Sequence, residues 1–291
     1  MEIPYTVKPR PDTGLWNAKI GIWLFLASEV MLFGGLFSAY VFLRMGAAPG
    51  MWPHGLLNVP VGTLNTVILI ASSVSVIFAW AALKQRKYNQ YWWLMLFTVV
   101  CASIFLTVKL AYEWPSKFHH FGVYIKSESL AKYEQYLGNR HLALKGREPR
   151  LMITGHLENP EALKDPNIKE YHIKLDAINA NPENEAYDRP SFIPHPMSDK
   201  VAVVKKEDVA SAGMFLPSYN TYFAVYYLIT GLHGLHVAGG LVYFIYLMLP
   251  VSRRLYEKDP EHLANRVECG GLFWHFVDLI WILVFPLFYL L

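Results

Sequence analysis

Residues 221–249 read TYFAVYYLITGLHGLHVAGGLVYFIYLML and contain no Asp, Glu, Lys or Arg. A helix needs about 20 apolar residues to cross a bilayer, so this stretch can span a membrane. Four further apolar runs lie near residues 20–43, 59–83, 92–111 and 268–291. The chain is 54% hydrophobic and 17% charged, whereas soluble domains carry about 25% charged residues. The sequence therefore predicts an all-α integral membrane protein with five transmembrane helices in a bundle.

Basic residues concentrate at one end of the predicted helices. They precede the first run, follow the second and follow the fourth: Lys8, Arg10, Lys19, Lys84, Arg86, Lys87, Arg253, Arg254, Lys258 and Arg266. Loops rich in Lys and Arg stay in the cytoplasm, so we expect a cytoplasmic N-terminus and an external C-terminus. Residues 1–15 are polar, and we expect no removable signal peptide. The net charge of +3 is too small to suggest a nucleic-acid partner.

A polar insert separates the third and fourth apolar runs. Residues 115–213 carry basic and acidic side chains in equal number, so their charge favours no particular partner. The alternation at 150–155 and 171–175 predicts short strands, and the many prolines argue against a long helix. We therefore expect a loop-rich extramembrane insert at 115–213, between a first segment at 1–114 and a last one at 214–291.

Ionisable residues inside the apolar runs are unusual because each costs at least about 2.5 to 3.5 kcal/mol to insert. Glu29 lies in the middle of the first run. It is either a buried carboxyl that bonds a neighbouring helix or a group that exchanges protons. Lys109 lies near the outer end of the third run, four residues before Glu113, and is expected to extend toward that carboxylate.

Two histidine-containing pairs share a spacing of three residues, namely His233 with His236 and His275 with Asp278. That spacing puts each pair on one helix face. The pairs can be read as metal ligands or as hydrogen bonds between helices. We favour hydrogen bonds and expect no metal, because the Glu-x-x-His pattern of di-iron bundles is missing. Small residues four apart, such as Gly34 with Ser38 and Gly234 with Ala238, predict close helix contacts.

Two long motifs then point to a family. The run Trp274-His275-Phe276-Val277-Asp278-Leu279-Ile280-Trp281 and the run Thr230-Gly231-Leu232-His233-Gly234-Leu235-His236-Val237 resemble the last two helices of cytochrome c oxidase subunit III. The chain resembles the five-helix bacterial form with a periplasmic insert, which places it in the bacterial inner membrane. It differs from the family pattern at Lys109, where the family has glutamine, and in the insert.

The resemblance implies an accessory subunit of a proton-pumping oxidase that reduces O2 with electrons from cytochrome c. Such a subunit has no catalytic redox residue, since haem and copper belong to partner subunits I and II. It supports the stability of the complex and proton uptake, and it binds phospholipid. The insert is expected to contact cytochrome c or another respiratory complex.

The resemblance also assigns residues by position. Glu29 corresponds to a buried functional carboxyl. An intramembrane polar network is expected from His233, His236, Glu268, His275 and Asp278. Arg253 and Arg254 are candidates for contact with lipid headgroups.

Three alternatives remain open. Subunit III of a quinol oxidase, or of a homologue associated with nitric oxide reductase, has the same pattern because subunit III contains no electron-entry site. Ionisable residues within the spans suggest a stand-alone transporter. Internal repeats with broken helices are typical of transporters, and this expectation weakens that alternative.

Overall fold

The computed structural model describes residues 17–47, 57–118, 120–136, 151–158, 168–180, 201–214, 216–217 and 221–290. Residues 1–16 and 291, on which part of the predicted orientation depends, lie outside this description. Within it, five helices are long and apolar enough to cross a membrane. They are α1 (Asn17–Gly46), α2 (Val59–Lys84), α3 (Tyr88–Thr107), α5 (Thr221–Met248) and α7 (Pro260–Phe285). The prediction of five membrane helices is confirmed.

Shorter helical segments extend or connect these spans. Helix α3 continues through a π-helical turn at Val108–Glu113 into α4 (Trp114–Phe118), and α7 continues into a π-helical turn at Pro286–Leu290. Helix α6 (Pro250–Lys258) connects α5 to α7. Helix α7 begins eight residues before the predicted start at Glu268, because Pro260 occupies its first turn and Asp259 accepts a hydrogen bond from the backbone N–H of His262.

The chain divides into two compact units. The first contains Met1–Val41, Pro60–Ala111 and Leu228–Phe288, and the second contains Phe42–Val59, Tyr112–Tyr227 and Tyr289–Leu291. The first unit therefore holds most of the membrane helices, and the second includes the insert.

Tryptophan hydrogen bonds connect α2 to α7 within the first unit. The indole N–H of Trp274 donates to the Ser72 hydroxyl, and that of Trp281 donates to the Thr66 hydroxyl, each over 3.0 Å. Both indole rings are fully buried. Trp274 and Trp281 are seven residues apart and meet α2 in reverse order, so the two helices run antiparallel.

The glycines that allow close packing differ from those predicted. A Cβ added at Gly34 or Gly234 meets no described atom within 4 Å, so the expected close helix contacts at these positions are wrong within the chain. A Cβ at Gly240 comes within 2.8 Å of the Trp274 ring, and one at Gly270 within 2.5 Å of Tyr243. Close approach of α5 and α7 therefore depends on Gly240 and Gly270.

The second unit contains a five-stranded antiparallel sheet with the order β4-β3-β2-β1-β5. Its strands are β1 (His120–Ile125), β2 (Leu151–Leu157), β3 (Glu170–Ala180), β4 (Val201–Lys205) and β5 (Val209–Met214). Strands β2 and β3 confirm the two strands predicted from alternation. One face buries a core that includes Phe121, Val123, Ile153, Ile173, Leu175 and Val204. The insert thus contains an ordered core in addition to its loops.

A buried carboxylate holds a 3-10 helix, Ser127–Tyr136, against the turn between β4 and β5. Asp208 accepts hydrogen bonds from Ser129 at 2.5 Å, Lys132 at 2.8 Å and Tyr133 at 2.9 Å. The hydrogen bond from the Lys132 ammonium, followed by that from Ser129, lowers the pKa of Asp208 to about 2. Asp208 is therefore ionised at neutral pH and stabilises this part of the second unit.

Candidate functional site

Glu29 of α1 contacts His236 of α5. The Glu29 Oε2 to His236 Nε2 distance is 3.0 Å, and His236 Nδ1 lies 2.8 Å from the Leu232 carbonyl oxygen. A carbonyl oxygen can only accept, so Nδ1 carries a hydrogen. Nε2 then either accepts from a neutral carboxyl or donates, as imidazolium, to a carboxylate. Both arrangements hold the same number of hydrogens and leave the pair with no net charge.

Aromatic rings surround this pair. Phe33 meets the His236 ring edge-on at a centroid distance of 5.4 Å, and Phe273 stacks on it at 6.1 Å. The side chains of His236 and Glu29 are nevertheless 13% and 14% exposed. A pair with no net charge is energetically favoured at such a position, because an isolated charge in hydrocarbon has a high free energy.

His233, one turn away on α5, has different partners. It is buried, and its Nε2 lies 3.1 Å from the carbonyl oxygen of Val277, so Nε2 carries the hydrogen. The ring packs between Trp281 and Phe105 at centroid distances of 5.1 and 5.6 Å. Its Nδ1 is buried and has no hydrogen-bond partner among the described residues. His233 therefore joins α5 to the backbone of α7 and does not join the Glu29 pair.

Lys109 is buried, whereas an interfacial position was predicted; its pairing with Glu113 stays a prediction. Its ammonium lies 4.8 Å from the centroid of the Trp281 ring, and the residue is 1% exposed. Lys109 lies in the π-helical turn Val108–Glu113, where the i to i+5 pattern shifts side chains from their α-helical positions. A desolvated cation over an indole face contributes about 2 kcal/mol.

Asp278 and His275 are three residues apart on α7 but do not bond each other. Asp278 is buried, with an interaction with Ser73 of α2, and its Oδ1 lacks a hydrogen-bond partner of good geometry among the described residues. His275 is only partly buried. The shared helix face therefore does not make His275 and Asp278 partners, and the contact of Asp278 is with Ser73 of α2.

Glu268 pairs with Lys19, near the start of α1, through a hydrogen bond from Nζ to Oε1. Both side chains are about one quarter exposed. This pair joins α1 to α7, as the Glu29 pair joins α1 to α5. His233, His236, Glu268 and Asp278 of the predicted network thus occupy separate contacts, and no three His, Cys, Asp or Glu side chains in the described segments could hold a metal ion.

Sequence reasoning missed a cluster around Glu113. The carboxyl of Glu113 accepts hydrogen bonds from Tyr226 at 2.6 Å and from Tyr289, and Lys117 Nζ lies 3.5 Å from the same oxygen. All these contacts lie in the second unit, and Glu113 is 2% exposed. The available signal was the presence of tyrosines in apolar runs, because a buried phenol requires a hydrogen-bond partner.

Comparisons with known proteins identify the family of this chain. The family model of cytochrome c oxidase subunit III matches residues 13–124 and 202–291. These segments include all five membrane helices and every predicted site residue. The chain belongs to the cytochrome c oxidase subunit III family. Residues 125–201 lie between the matched segments, so most of the insert is an addition to the family pattern.

Members of the subunit III family resemble this chain over different lengths. A heme-copper oxidase subunit I+III of Aeropyrum pernix is 26% identical, covering 99% of this chain and 24% of that protein. The chain thus spans about a quarter of that relative's length. Cytochrome c oxidase subunit 3 of Alkalihalophilus pseudofirmus is 22% identical, covering 94% of this chain and 87% of the relative. Cytochrome bo(3) ubiquinol oxidase subunit 3 of Buchnera aphidicola is 36% identical over 74 residues, 25% of this chain and 38% of the relative.

Proposed function

We propose that this chain is the accessory subunit III of a terminal oxidase that reduces O2 with electrons from cytochrome c. The observation that carries the proposal is the subunit III family match over all five membrane helices. The chain holds no redox centre in this proposal, and haem and copper reside in partner subunits I and II. The Aeropyrum relative, whose name joins subunits I and III in one chain, supports direct packing against the catalytic subunit.

The proposed contributions of the subunit are to the stability of the complex, to proton uptake and to phospholipid binding. Glu29 and His236 support the role in proton uptake, because their contact holds a proton that can move between Oε2 and Nε2 without a change in net charge. Glu29 has a structural role in the same contact, since it joins α1 to α5. His233, Glu268 and Asp278 act in helix packing.

The proposed orientation rests on the positive-inside rule, and the proposed location rests on the family. The chain is a multi-pass membrane protein. We place it in a bacterial inner membrane with the N-terminus in the cytoplasm and the insert and C-terminus in the periplasm. The periplasmic insert is proposed to contact cytochrome c or another respiratory complex, because two strands of its sheet, β2 and β3, lie within residues 125–201, which the family model does not match.

A quinol oxidase is the second candidate. The similarity to a bo(3) ubiquinol oxidase subunit 3 supports a quinol oxidase as directly as the similarity to a cytochrome c oxidase subunit 3 supports a cytochrome c oxidase. An accessory role beside nitric oxide reductase, or transport by the chain alone, has weaker support.

The first experiment is affinity purification of the chain from mild-detergent membranes, with mass spectrometry and an optical spectrum for haem. A copurifying haem-bearing subunit with a copper-binding second subunit is the expected result. A haem-bearing subunit without that copper subunit would indicate a quinol oxidase. A colourless chain that purifies alone would contradict the accessory role and favour transport.

A second experiment concerns the insert. Deletion of residues 126–210 is expected to weaken copurification of a periplasmic partner while the five-helix core stays in the oxidase. Loss of the whole chain from the membrane would show that the insert is required for folding instead.

A further inference from the structure

Two tyrosines from different helical segments share one carboxylate oxygen within the second unit. Tyr226 of α5 donates to Glu113 Oε1 over 2.6 Å, and Tyr289, in the π-helical turn after α7, donates to the same oxygen. All three side chains are buried, and the ammonium of Lys117 lies 3.5 Å from this oxygen. Donors gathered around one oxygen favour the carboxylate form of Glu113. We call Glu113, Tyr226 and Tyr289 the tyrosine-carboxyl site.

This arrangement prepares a phenol to lose a proton together with an electron. A base can take up a hydrogen that lies within hydrogen-bond reach, about 2.6 to 3.2 Å between heavy atoms, and Tyr226 meets this condition. A phenol that has lost an electron is a strong acid, so its proton moves to Glu113 and a neutral phenoxyl radical remains. Without that transfer, the ring would keep a positive charge, which has a high free energy in apolar surroundings. Lys117 keeps its hydrogen bond to the Glu113 backbone carbonyl oxygen, at 3.2 Å, when the carboxylate is neutralised.

A row of aromatic rings connects this site to a partly exposed side chain of the same unit. The ring of Tyr226 lies 5.2 Å from that of Tyr227, and the ring of Tyr227 lies 5.4 Å from that of Trp114, as centroid distances. Rings are in contact at centroid distances of about 4.5 to 7 Å, so an electron can pass from each ring to the next. Tyr227 is buried, whereas Trp114 is only partly buried. Tyrosine and tryptophan are also the aromatic side chains that lose an electron most readily.

We propose that the tyrosine-carboxyl site is redox-active. Tyr226 or Tyr289 gives one electron to a high-potential oxidant and its phenolic proton to Glu113, so the phenolic O–H bond breaks and an O–H bond forms on Oε1. An electron from Trp114, passed through Tyr227, and the return of the proton from Glu113 then restore the phenol. The oxidised side chain is now Trp114, where a soluble one-electron reductant can reach it. Only the natural oxidant, a high-potential iron centre of an O2-reducing partner subunit, rests on the proposed function.

The test uses the purified full-length chain with its own photo-oxidant, so no partner subunit is needed. A ruthenium polypyridyl complex is attached at Tyr112→Cys, because Tyr112 is exposed and adjacent to Glu113. Cys269→Ser removes the half-buried native thiol, and Cys101 is buried. After a light flash with persulfate as the electron acceptor, radicals are trapped by freezing and measured by electron paramagnetic resonance. Ring-deuterated tyrosine, incorporated during growth, narrows a tyrosyl signal and leaves a tryptophanyl signal unchanged.

The native site should yield a neutral tyrosyl radical that forms more slowly in D2O than in H2O, because a proton moves with the electron. The tyrosyl signal should fall in Tyr226→Phe and in Tyr289→Phe and be lost in the double variant. Glu113→Gln keeps both phenols but removes the base, so the signal should change from tyrosyl to tryptophanyl. Circular dichroism establishes that each variant is folded.

Tyr246→Phe is the matched control, at an exposed tyrosine near the opposite end of α5, and should leave the tyrosyl signal unchanged. An undiminished tyrosyl signal in the double variant would overturn the proposal, as would an equal loss in Tyr246→Phe. Equal rates of radical formation in H2O and D2O would also overturn it, and this comparison needs no substitution in the site. Because the sample contains this chain alone, failure here leaves the copurification result unaffected, and a chain that copurifies with no oxidase can still form the radical.

Discussion

The contact between Glu29 and His236 makes a quantitative prediction. Substituting either residue by Ala removes a contact of 3.0 Å between α1 and α5 and leaves the other polar group unpaired. Hydrogen bonds between membrane helices contribute about 0.6 kcal/mol on average and about 1.7 kcal/mol at most. We therefore expect a coupling free energy between Glu29→Ala and His236→Ala of about 0.6 to 1.7 kcal/mol. An ion pair would give a larger coupling, about 1.5 to 3 kcal/mol.

Two further substitutions at Glu29 separate hydrogen bonding from charge. Glu29→Gln keeps a donor for His236 Nε2 and should cost less than about 1 kcal/mol. Glu29→Lys places a net charge in hydrocarbon and should cost at least about 2.5 to 3.5 kcal/mol. Assembly into the membrane complex should follow the same order, with Gln tolerated and Lys not.

The assay is unfolding of the purified chain by sodium dodecyl sulfate in mixed micelles, followed by circular dichroism. Val30→Ala is the matched control, because Val30 is adjacent in sequence and 56% exposed. Additive effects of the two Ala substitutions, with coupling below about 0.3 kcal/mol, would refute the bond. Equal tolerance of Gln and Lys would refute the apolar surroundings of Glu29.

Three other predictions concern contacts outside this pair. Tyr289→Phe removes a donor to Glu113 and should lower the free energy of unfolding by about 1 to 2 kcal/mol in the same assay. The control Tyr112→Phe, at a tyrosine that is 59% exposed, should leave the free energy of unfolding almost unchanged, and equal effects of the two substitutions would refute the Glu113 cluster. Gly240→Ala should destabilise the chain by about 1 to 3 kcal/mol because its Cβ meets the Trp274 ring at 2.8 Å, while Gly34→Ala should be neutral or stabilising, and the reverse order would contradict the packing. The pKa of Asp208 is about 2 in the folded insert and about 3.9 in an unfolded chain, so the stabilisation by its carboxylate is complete above about pH 4 and is lost as the pH falls through 2. Pepsin cleavage of the insert should therefore rise between pH 4 and pH 2 in the native chain. An equal rise in the Asp208→Asn variant would contradict this role.

Part of the polar arrangement was accessible from the sequence. An ionisable residue in the middle of an apolar run, such as Glu29, must find a partner on another helix, and the structure supplies His236. The spacing of His233 and His236 also predicted a shared role in contacts between helices. It could not predict that His236 meets a side chain of α1 while His233 meets a backbone carbonyl of α7, because the neighbours of α5 differ on the two sides.

The π-helical turn in α3 and the glycines at which helices pack closely could not be predicted from the sequence. The expected outward position of Lys109 assumed a regular α-helix, and a π-helical turn replaces that geometry at Val108–Glu113. Which glycines permit close packing depends on which large ring lies opposite. Gly240 and Gly270 face aromatic side chains, whereas Gly34 faces no described atom of this chain.

The sequence by itself determined the number of membrane helices, the position of the insert and the family. Each of these depends on local properties: the length of an apolar run, the clustering of charged residues, and motifs of eight adjacent residues in α5 and α7. Only the tertiary structure decided the partners of the polar groups and the order of the five strands. A hydrogen bond or ion pair requires two groups within a few ångströms, and that distance is set by how distant segments pack together.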